Sequence, residues 1–181
     1  QVRQLLQVQL PFMGSAAFLA VGAFAFAVWL GRRRELLYLL FFAISALAYL
    51  RTLHYFVSGD YLPVSDEWFE WITVVSLLWL IIVIHLFLQR LHQQPSVWLT
   101  RLSVALALAC SIATLPHASA AVPSLYLLTP LLNLAVLPVA VLLFAVNLRK
   151  ALRAKMPEGR LVACWAVAAV AFTSYDGLLQ N

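Results

Sequence analysis

Three ionisable residues lie inside apolar stretches of the chain or at their ends: Arg51, His85 and Asp176. Transfer of an ionisable side chain into apolar surroundings is costly, so each of these residues needs a partner or a function. Residues of this kind form ion pairs, relay protons or line polar cavities. They are the first candidates for chemistry in this sequence.

Arg51 and Asp176 are predicted to pair. Each lies five residues before the end of an apolar segment, 36–56 and 161–181, which at about 1.5 Å per helical residue gives them the same depth. A polar cluster is predicted around them, formed by His54, Tyr55, Glu70 and Tyr175. The pair is read either as a structural contact, with Arg51 reaching the outer interface by its long stem, or as part of a polar cavity whose occupancy changes helix packing.

Other site chemistries fit the sequence poorly. A haem held by two histidines needs both at one depth on facing helices, but His54 and His117 are predicted at one end and His85 and His92 at the other. No recurrent metal-ligand spacing occurs. Ser76 and His85 are about 13 Å apart along one helix, too far for a nucleophile and its base. No catalytic residue, cofactor or metal site is predicted.

The composition explains why these polar residues stand out. Of 181 residues, 64% are hydrophobic and 10% are charged, and the mean hydropathy is +0.93. An average soluble domain is about half apolar and about a quarter charged, so a soluble globular domain is excluded. The apolar runs are long enough for helices that cross a bilayer, and they lack the alternation of barrel strands.

An all-α, polytopic transmembrane helical bundle is therefore predicted. A turn rich in proline and small residues, between Pro116 and Pro123, divides the longest apolar run into two helices. The six predicted helices are 9–30, 36–56, 68–88, 97–115, 125–148 and 161–181.

The charges predict the orientation of the bundle. Ten of the twelve Lys and Arg residues fall in alternate loops or close to them: Arg32, Arg33, Arg34, Arg90, Arg101, Arg149, Lys150, Arg153, Lys155 and Arg160. Because basic residues concentrate on the cytoplasmic side, the N-terminus is predicted outside. Topology thus explains the net charge of +5, and membrane lipids rather than nucleic acid are the expected partners of the basic loops.

Two predicted helices carry features that bear on shape and packing. Pro130 and Pro138 flank Asn133 in the fifth helix and predict either a fixed bend or a signalling hinge. The first helix is rich in glycine and alanine, which favours close packing inside the bundle and leaves a homodimer contact open.

The layout resembles a known family. The segment Gly31-Arg32-Arg33-Arg34-Glu35-Leu36-Leu37-Tyr38-Leu39-Leu40-Phe41-Phe42-Ala43, the pair Ser58-Gly59 and the segment Tyr175-Asp176-Gly177-Leu178-Leu179 are similar to those of bacterial seven-transmembrane receptors with diverse intracellular signalling modules (7TM-DISM). The resemblance implies a sensor domain before the first helix, seven helices, and a cytoplasmic output domain such as a diguanylate cyclase or histidine kinase. Asp176 matches the acidic residue late in the sixth helix of the family.

The expected function is that of a receptor's membrane region. The chain begins at Gln1 without a signal peptide, so we expect it to be part of a longer protein whose seventh helix and flanking domains lie elsewhere. Its expected location is the bacterial inner (cytoplasmic) membrane, with an unknown small ligand. A small transporter or channel subunit is the alternative, and a purely structural anchor is a third interpretation.

Overall fold

A computed structural model describes residues 10–53, 65–93, 96–116, 138–139 and 141–150. In chain order it has helices α1 (Leu10–Gly31), α2 (Leu36–Thr52), α3 (Asp66–Leu91) and α4 (Val97–Ala113), and the stretch 141–150 is also helical. Within these ranges no residue is in a strand. The predicted all-α class is therefore confirmed for the described part of the chain, while the six-helix count and the outside N-terminus stay predictions.

The four helices pack in sequence order, α1 against α2, α2 against α3, and α3 against α4. A tight turn joins the first two, in which the N–H of Arg32 donates to the carbonyls of Val28 and Trp29 at 3.0 Å. The N–H of Glu35 then donates to the Arg32 carbonyl, also at 3.0 Å. A connection this short makes α1 and α2 antiparallel neighbours.

A glycine sets the approach of α1 to α2. Gly22 is buried against Ser45, which has no exposed surface. A Cβ atom placed on Gly22 would overlap the Ser45 Oγ and lie 2.7 Å from the Ser45 Cβ. The Ser45 hydroxyl donates to the Phe42 carbonyl at 2.8 Å and is thus satisfied within its own helix. Small residues at both positions let the two backbones approach closely.

Aromatic rings continue the packing from α1 across α2 to α3. Phe26 of α1 and Phe42 of α2 have ring centroids 4.7 Å apart. Phe18 meets Phe41 edge-on at 5.7 Å, and Phe41 reaches Phe87 of α3 at 6.5 Å. Each pair lies within the range of favourable aromatic contact.

Helices α3 and α4 share an apolar core and two indole hydrogen bonds. Leu78, Ile82 and Ala107 form the core, which Trp79 packs against. The Trp79 Nε1–H donates to the Ser111 Oγ at 3.1 Å, and the Trp71 Nε1–H donates to the Ser111 carbonyl at 3.1 Å. The side chains of Trp71 and Trp79 therefore join α3 to α4.

The helix bounds differ from the predicted ones at both ends of α3 and at the C-terminal ends of α2 and α4; α2 ends at Thr52 instead of 56. Helix α3 begins at Asp66 and ends at Leu91, beyond the predicted 68–88 at both ends. Helix α4 ends at Ala113 instead of 115, because the residue before a proline, here Leu115 before Pro116, disfavours helical backbone. Apolar length marks the part of a helix that needs an apolar environment, whereas hydrogen bonding decides where the helix ends.

Two helical segments are long and apolar enough to cross a membrane. Phe12–Gly31 has a mean hydropathy of 1.9 and Glu67–Leu91 one of 2.5. Leu36–Thr52 and Val97–Ala113 are apolar but shorter.

Candidate functional site: a polar cluster around His85

The structure places only part of the predicted outer site. Arg51 lies half-buried in the last turn of α2. Glu70 belongs to α3, but its side chain is outside the described part of the molecule. The other predicted site and hinge residues, apart from Pro138, also lie outside the described residues: His54, Tyr55, Pro130, Asn133, Tyr175 and Asp176. The pairing of Arg51 with Asp176 therefore stays a prediction. Pro138 is helical and exposed.

A different group of polar side chains comes together at the end of α3 that leads into α4. We call it the His85 cluster, and it contains His85, Gln89, His92, Ser96, Thr100, Asn147 and Lys150. These residues come from α3, from α4 with the turn before it, and from the helical stretch 141–150. The cluster thus joins three elements that are far apart in sequence.

Gln89 is held in one orientation by the start of α4. Its Oε1 accepts the backbone N–H of Ser96 at 3.3 Å and the hydroxyl of Thr100 at 3.1 Å. A backbone N–H can only donate, so this end of the amide must be the oxygen. The Gln89 Nε2 consequently faces His85 and donates to its Nε2 at 2.6 Å.

The bond from Gln89 fixes the protonation state and tautomer of His85, whose side chain is 1% exposed. An imidazole nitrogen that accepts a hydrogen bond carries no proton, so the ring is neutral and its proton is on Nδ1. Asn147 lies 2.7 Å from Nδ1 through its amide nitrogen, while its Oδ1 is buried without a partner. The oxygen and nitrogen of an amide are assigned from hydrogen bonding. As placed, the Asn147 amide nitrogen and the His85 Nδ1–H are two donors that face each other. Rotating the Asn147 amide by a half-turn lets His85 Nδ1–H donate to Asn147 Oδ1 instead.

Lys150 and His92 extend the cluster beyond the end of α3. The Lys150 Nζ donates to the Ser96 Oγ at 2.6 Å. His92 follows α3 directly, with its N–H bonded to the Leu88 carbonyl at 2.9 Å. Burial, and secondly the positive charge of Lys150, lower the pKa of the His92 side chain below its ordinary value of 6.5. His92 is therefore neutral near pH 7.

The cluster is suited to hold helices in one arrangement. Buried polar groups cost free energy when they lose their partners, so the hydrogen bonds of His85 with Gln89 and Asn147 favour one helix register over nearby ones. The sequence singled out His85 but missed Gln89, Asn147 and Lys150. Gln89 could have been found from the sequence, because it lies four residues after His85 and residues four apart share a helix face. The only sequence signal for Asn147 was that it is a polar residue within an apolar run.

No protein-family model, curated protein or solved structure matches this chain. Two features of the molecule bear on its function: the geometry of the His85 cluster and the distribution of apolar and basic residues.

Proposed function

We propose that this chain is the multi-pass membrane region of a bacterial receptor, which passes a signal from an extracytoplasmic sensor domain to a cytoplasmic output domain such as a diguanylate cyclase or histidine kinase. The observation that carries the proposal is the His85 cluster. It provides a polar contact among three helical elements, and such a contact can be made in one helix arrangement and broken in another.

Exposed apolar surface supports a location in the membrane. Met13 and Phe24 of α1 are 68% and 71% exposed, and Val21 between them is 55% exposed. Soluble monomers rarely expose large contiguous apolar patches. In the proposed bacterial cytoplasmic membrane this face of α1 contacts lipid or another helix, so its apolar side chains are not exposed to water.

The position of the basic residues supports an output on the cytoplasmic side. Glu35 and Tyr38, next to the arginine-rich turn after α1, line the same groove as Phe87 of α3. The turn therefore lies at the His85 end of α3, where Arg90 stands in the last turn of α3 and Lys150 of the stretch 141–150 bonds to Ser96. By the positive-inside rule this end faces the cytoplasm.

The proposed mechanism is a shift between two helix arrangements. A ligand can move such an equilibrium only by the difference between its affinities for the two states. In the resting arrangement the cluster holds 141–150 against α3 and α4 through Asn147 and Lys150. Binding outside favours an arrangement in which these contacts are exchanged, and the change reaches the output domain through the C-terminal part of the protein.

His85→Leu in the full-length protein that contains this chain tests the proposal. The substitution removes both hydrogen bonds of the ring, so we expect the basal activity of the output domain to change several-fold while the protein remains in the membrane fraction. Thr73→Val is the matched control, because Thr73 is buried in the same helix and its hydroxyl donates to the Phe69 carbonyl of that helix, at 2.9 Å, rather than to another helix. Unchanged output in a correctly inserted His85→Leu protein contradicts the proposal.

A transporter or channel subunit is the second candidate, and the burial of an ionisable side chain within an apolar helix favours it. Intramembrane histidines occur in proton relays of transporters. Purified protein in liposomes with an internal pH-sensitive dye separates the two functions. Proton or solute flux that His85→Leu abolishes would support transport, whereas a receptor region shows no flux with either form.

A further inference from the structure

We propose that the groove between α1, α2 and α3 binds a phospholipid with a primary ammonium headgroup, of the phosphatidylethanolamine type. One acyl chain lies in the groove, the phosphate contacts the arginine-rich turn after α1, and the headgroup ammonium contacts Glu35. The site goes beyond the proposed receptor function and rests only on the proposed location in the membrane. Three features carry the inference: the shape and lining of the groove, the charges at one of its ends, and the level of that end in the membrane.

The groove is open on one side and mostly apolar. Its volume is about 380 Å³, within the usual range of small-ligand sites, about 300–1,000 Å³. The α1 wall includes Val21 and Val28, which lie about 10 Å apart along the helix axis at about 1.5 Å per residue. Phe41 of α2 and Phe87 of α3 add aromatic surface. Such a lining offers a linear apolar chain van der Waals contacts along its length and offers a polar ligand few hydrogen bonds.

The exposure of the α1 wall indicates an apolar occupant. Phe24 lines the groove and is 71% exposed, and Val21 is 55% exposed. Exposed apolar surface of this kind marks a contact with a membrane or an apolar ligand. In the proposed location, acyl chains of the surrounding lipid are the apolar molecules present in the largest excess.

Charges of both signs lie at the end of the groove next to the turn after α1. Glu35 and Tyr38 line that end, and Arg32, Arg33 and Arg34 directly precede Glu35 in the chain. Glu35 and the three arginines are all exposed. Glu35 is the N-cap residue of α2, but its side chain makes no capping hydrogen bond. The helix therefore does not use the Glu35 carboxylate as a cap, and the carboxylate can accept from a ligand.

A zwitterionic headgroup matches these charges better than an anionic one. Guanidinium groups bind phosphate oxygens through charge-assisted hydrogen bonds. The Glu35 carboxylate repels a further anion, but it accepts hydrogen bonds from a primary ammonium group, which has three N–H donors. The quaternary ammonium of phosphatidylcholine carries the same charge without an N–H donor. Phosphatidylethanolamine thus pairs with both signs of charge, whereas phosphatidylglycerol places an anion beside Glu35 without a cation to offset it.

The charged end of the groove lies at the level expected for headgroups. The apolar segment Phe12–Gly31 ends directly before the arginine-rich turn, so in the proposed topology the turn is at the boundary between membrane and water. Tyr38 is half-buried, and tyrosine is enriched at this boundary because its ring is apolar and its hydroxyl is polar. A lipid with its phosphate at the turn therefore directs its chain along α1 toward the membrane interior, as the groove runs.

Native mass spectrometry of the purified full chain in a neutral detergent tests the headgroup preference. Phosphatidylethanolamine and phosphatidylcholine with identical acyl chains are added in equal amounts, and the bound lipids are distinguished by mass. We expect a preference for phosphatidylethanolamine of about threefold or more. Glu35→Gln should bring the ratio close to one, because the carboxylate that accepts from the ammonium group is lost. Glu67→Gln is the matched control, since Glu67 is an exposed carboxylate in the first turn of α3, and it should leave the ratio unchanged.

Ala25→Leu tests the apolar part of the site without changing a charge. Ala25 lines the groove and is 8% exposed, so a larger side chain occupies part of the space for the acyl chain. We expect the amount of bound lipid to fall by about twofold or more. Ala23→Leu is the matched control, because Ala23 is exposed on the same helix, and it should change binding little. Val28→Phe repeats the test if Ala25→Leu does not fold.

Three results overturn the inference: equal binding of the two lipids by the wild type, an equal loss of preference in Glu35→Gln and Glu67→Gln, or bound lipid that neither Ala25→Leu nor Val28→Phe reduces. Stronger binding of phosphatidylglycerol than of phosphatidylethanolamine in the same experiment also contradicts it, since the occupant is then an anionic lipid. These readouts are independent of the output measurement with His85→Leu, so failure of the lipid site and failure of the receptor proposal are distinguishable.

Discussion

At the scale of single residues, hydrogen-bond donors and acceptors determine the chemistry of the His85 cluster. The Ser96 N–H fixes the oxygen of Gln89, Gln89 fixes the acceptor nitrogen of His85, and His85 then requires an acceptor from Asn147. No pattern in the sequence could predict these linked hydrogen bonds, because Asn147 lies 62 positions after His85 in the sequence. The sequence could indicate only that His85 is unusual in its apolar surroundings.

A double-mutant cycle tests the bond between His85 and Asn147. Asn147→Leu leaves the His85 Nδ1–H buried without an acceptor, so we expect the free energy of unfolding in detergent to fall by about 1–3 kcal/mol. The same substitution in a His85→Leu background should cost less, because both polar partners are then gone. A coupling free energy of about 0.5 kcal/mol or more supports the bond. Additive effects of the two substitutions contradict it.

The lowered pKa of His92 predicts that the folded protein loses stability in acid. Its pKa in the folded state is lowered from 6.5, so the unfolded chain takes up a proton at this residue before the folded chain does. Stability therefore falls as the pH drops through 6.5, the ordinary value.

Thermal unfolding of wild type and His92→Gln in phosphate-free buffer measures this effect. The melting temperature of the wild type should fall further than that of the variant between about pH 7.5 and about pH 5.5. Contributions from other titrating groups cancel in the comparison. Parallel pH curves for the two proteins would show that His92 does not titrate differently on folding.

At the scale of helices, the sequence predicted the elements better than their contacts. The apolar runs placed α1, α2 and the start of α4 within a residue of their observed N-terminal bounds. They did not reveal that polar residues continue α3 at both ends, since Asp66 and Arg90 interrupt the apolar run without interrupting the backbone hydrogen bonds. The abundance of small residues in α1 indicated close packing but not that Gly22 is the residue in contact with α2.

Gly22→Ala tests the close approach of α1 and α2. The new Cβ would overlap the Ser45 side chain, so the helices must move apart, at an expected cost of about 1–3 kcal/mol in the free energy of unfolding. Gly14→Ala is the matched control, because a Cβ at Gly14 meets nothing within 4 Å, and it should be neutral or stabilising through helix propensity.

Rescue by a second substitution distinguishes local overlap from a general loss of packing. Ser45→Gly removes the Oγ and Cβ atoms that the Gly22→Ala methyl group would overlap, and leaves only the Phe42 Cα at 3.6 Å, an ordinary contact distance. The double variant should therefore regain most of the lost stability. The remaining loss is the lower helix propensity of glycine compared with serine at position 45. Stability that stays at the level of Gly22→Ala alone would place the cause elsewhere than the contact with Ser45.

At the scale of the whole molecule, the charges and the described helices agree on which parts share one end. The arginine-rich turn after α1 and the end of α3 at Arg90 lie on the same side of the bundle, as the groove shared by Glu35 and Phe87 requires. Ser65, the N-cap residue of α3, lies at the other end of that helix. The proposed topology therefore assigns Arg33 and Arg90 to the cytoplasm and Ser65 to the outside.

Cysteine labelling in intact cells tests this assignment. Cys110 and Cys164 are first replaced by serine or alanine, and single cysteines are introduced at Arg33, Arg90 and Ser65, all of them exposed positions. A membrane-impermeant maleimide should label Ser65→Cys in intact cells, but Arg33→Cys and Arg90→Cys only after the cells are opened. The reverse pattern would invert the bundle and place the His85 cluster and its basic neighbours outside. Labelling of all three without opening the cells would exclude a membrane between the two ends of α3.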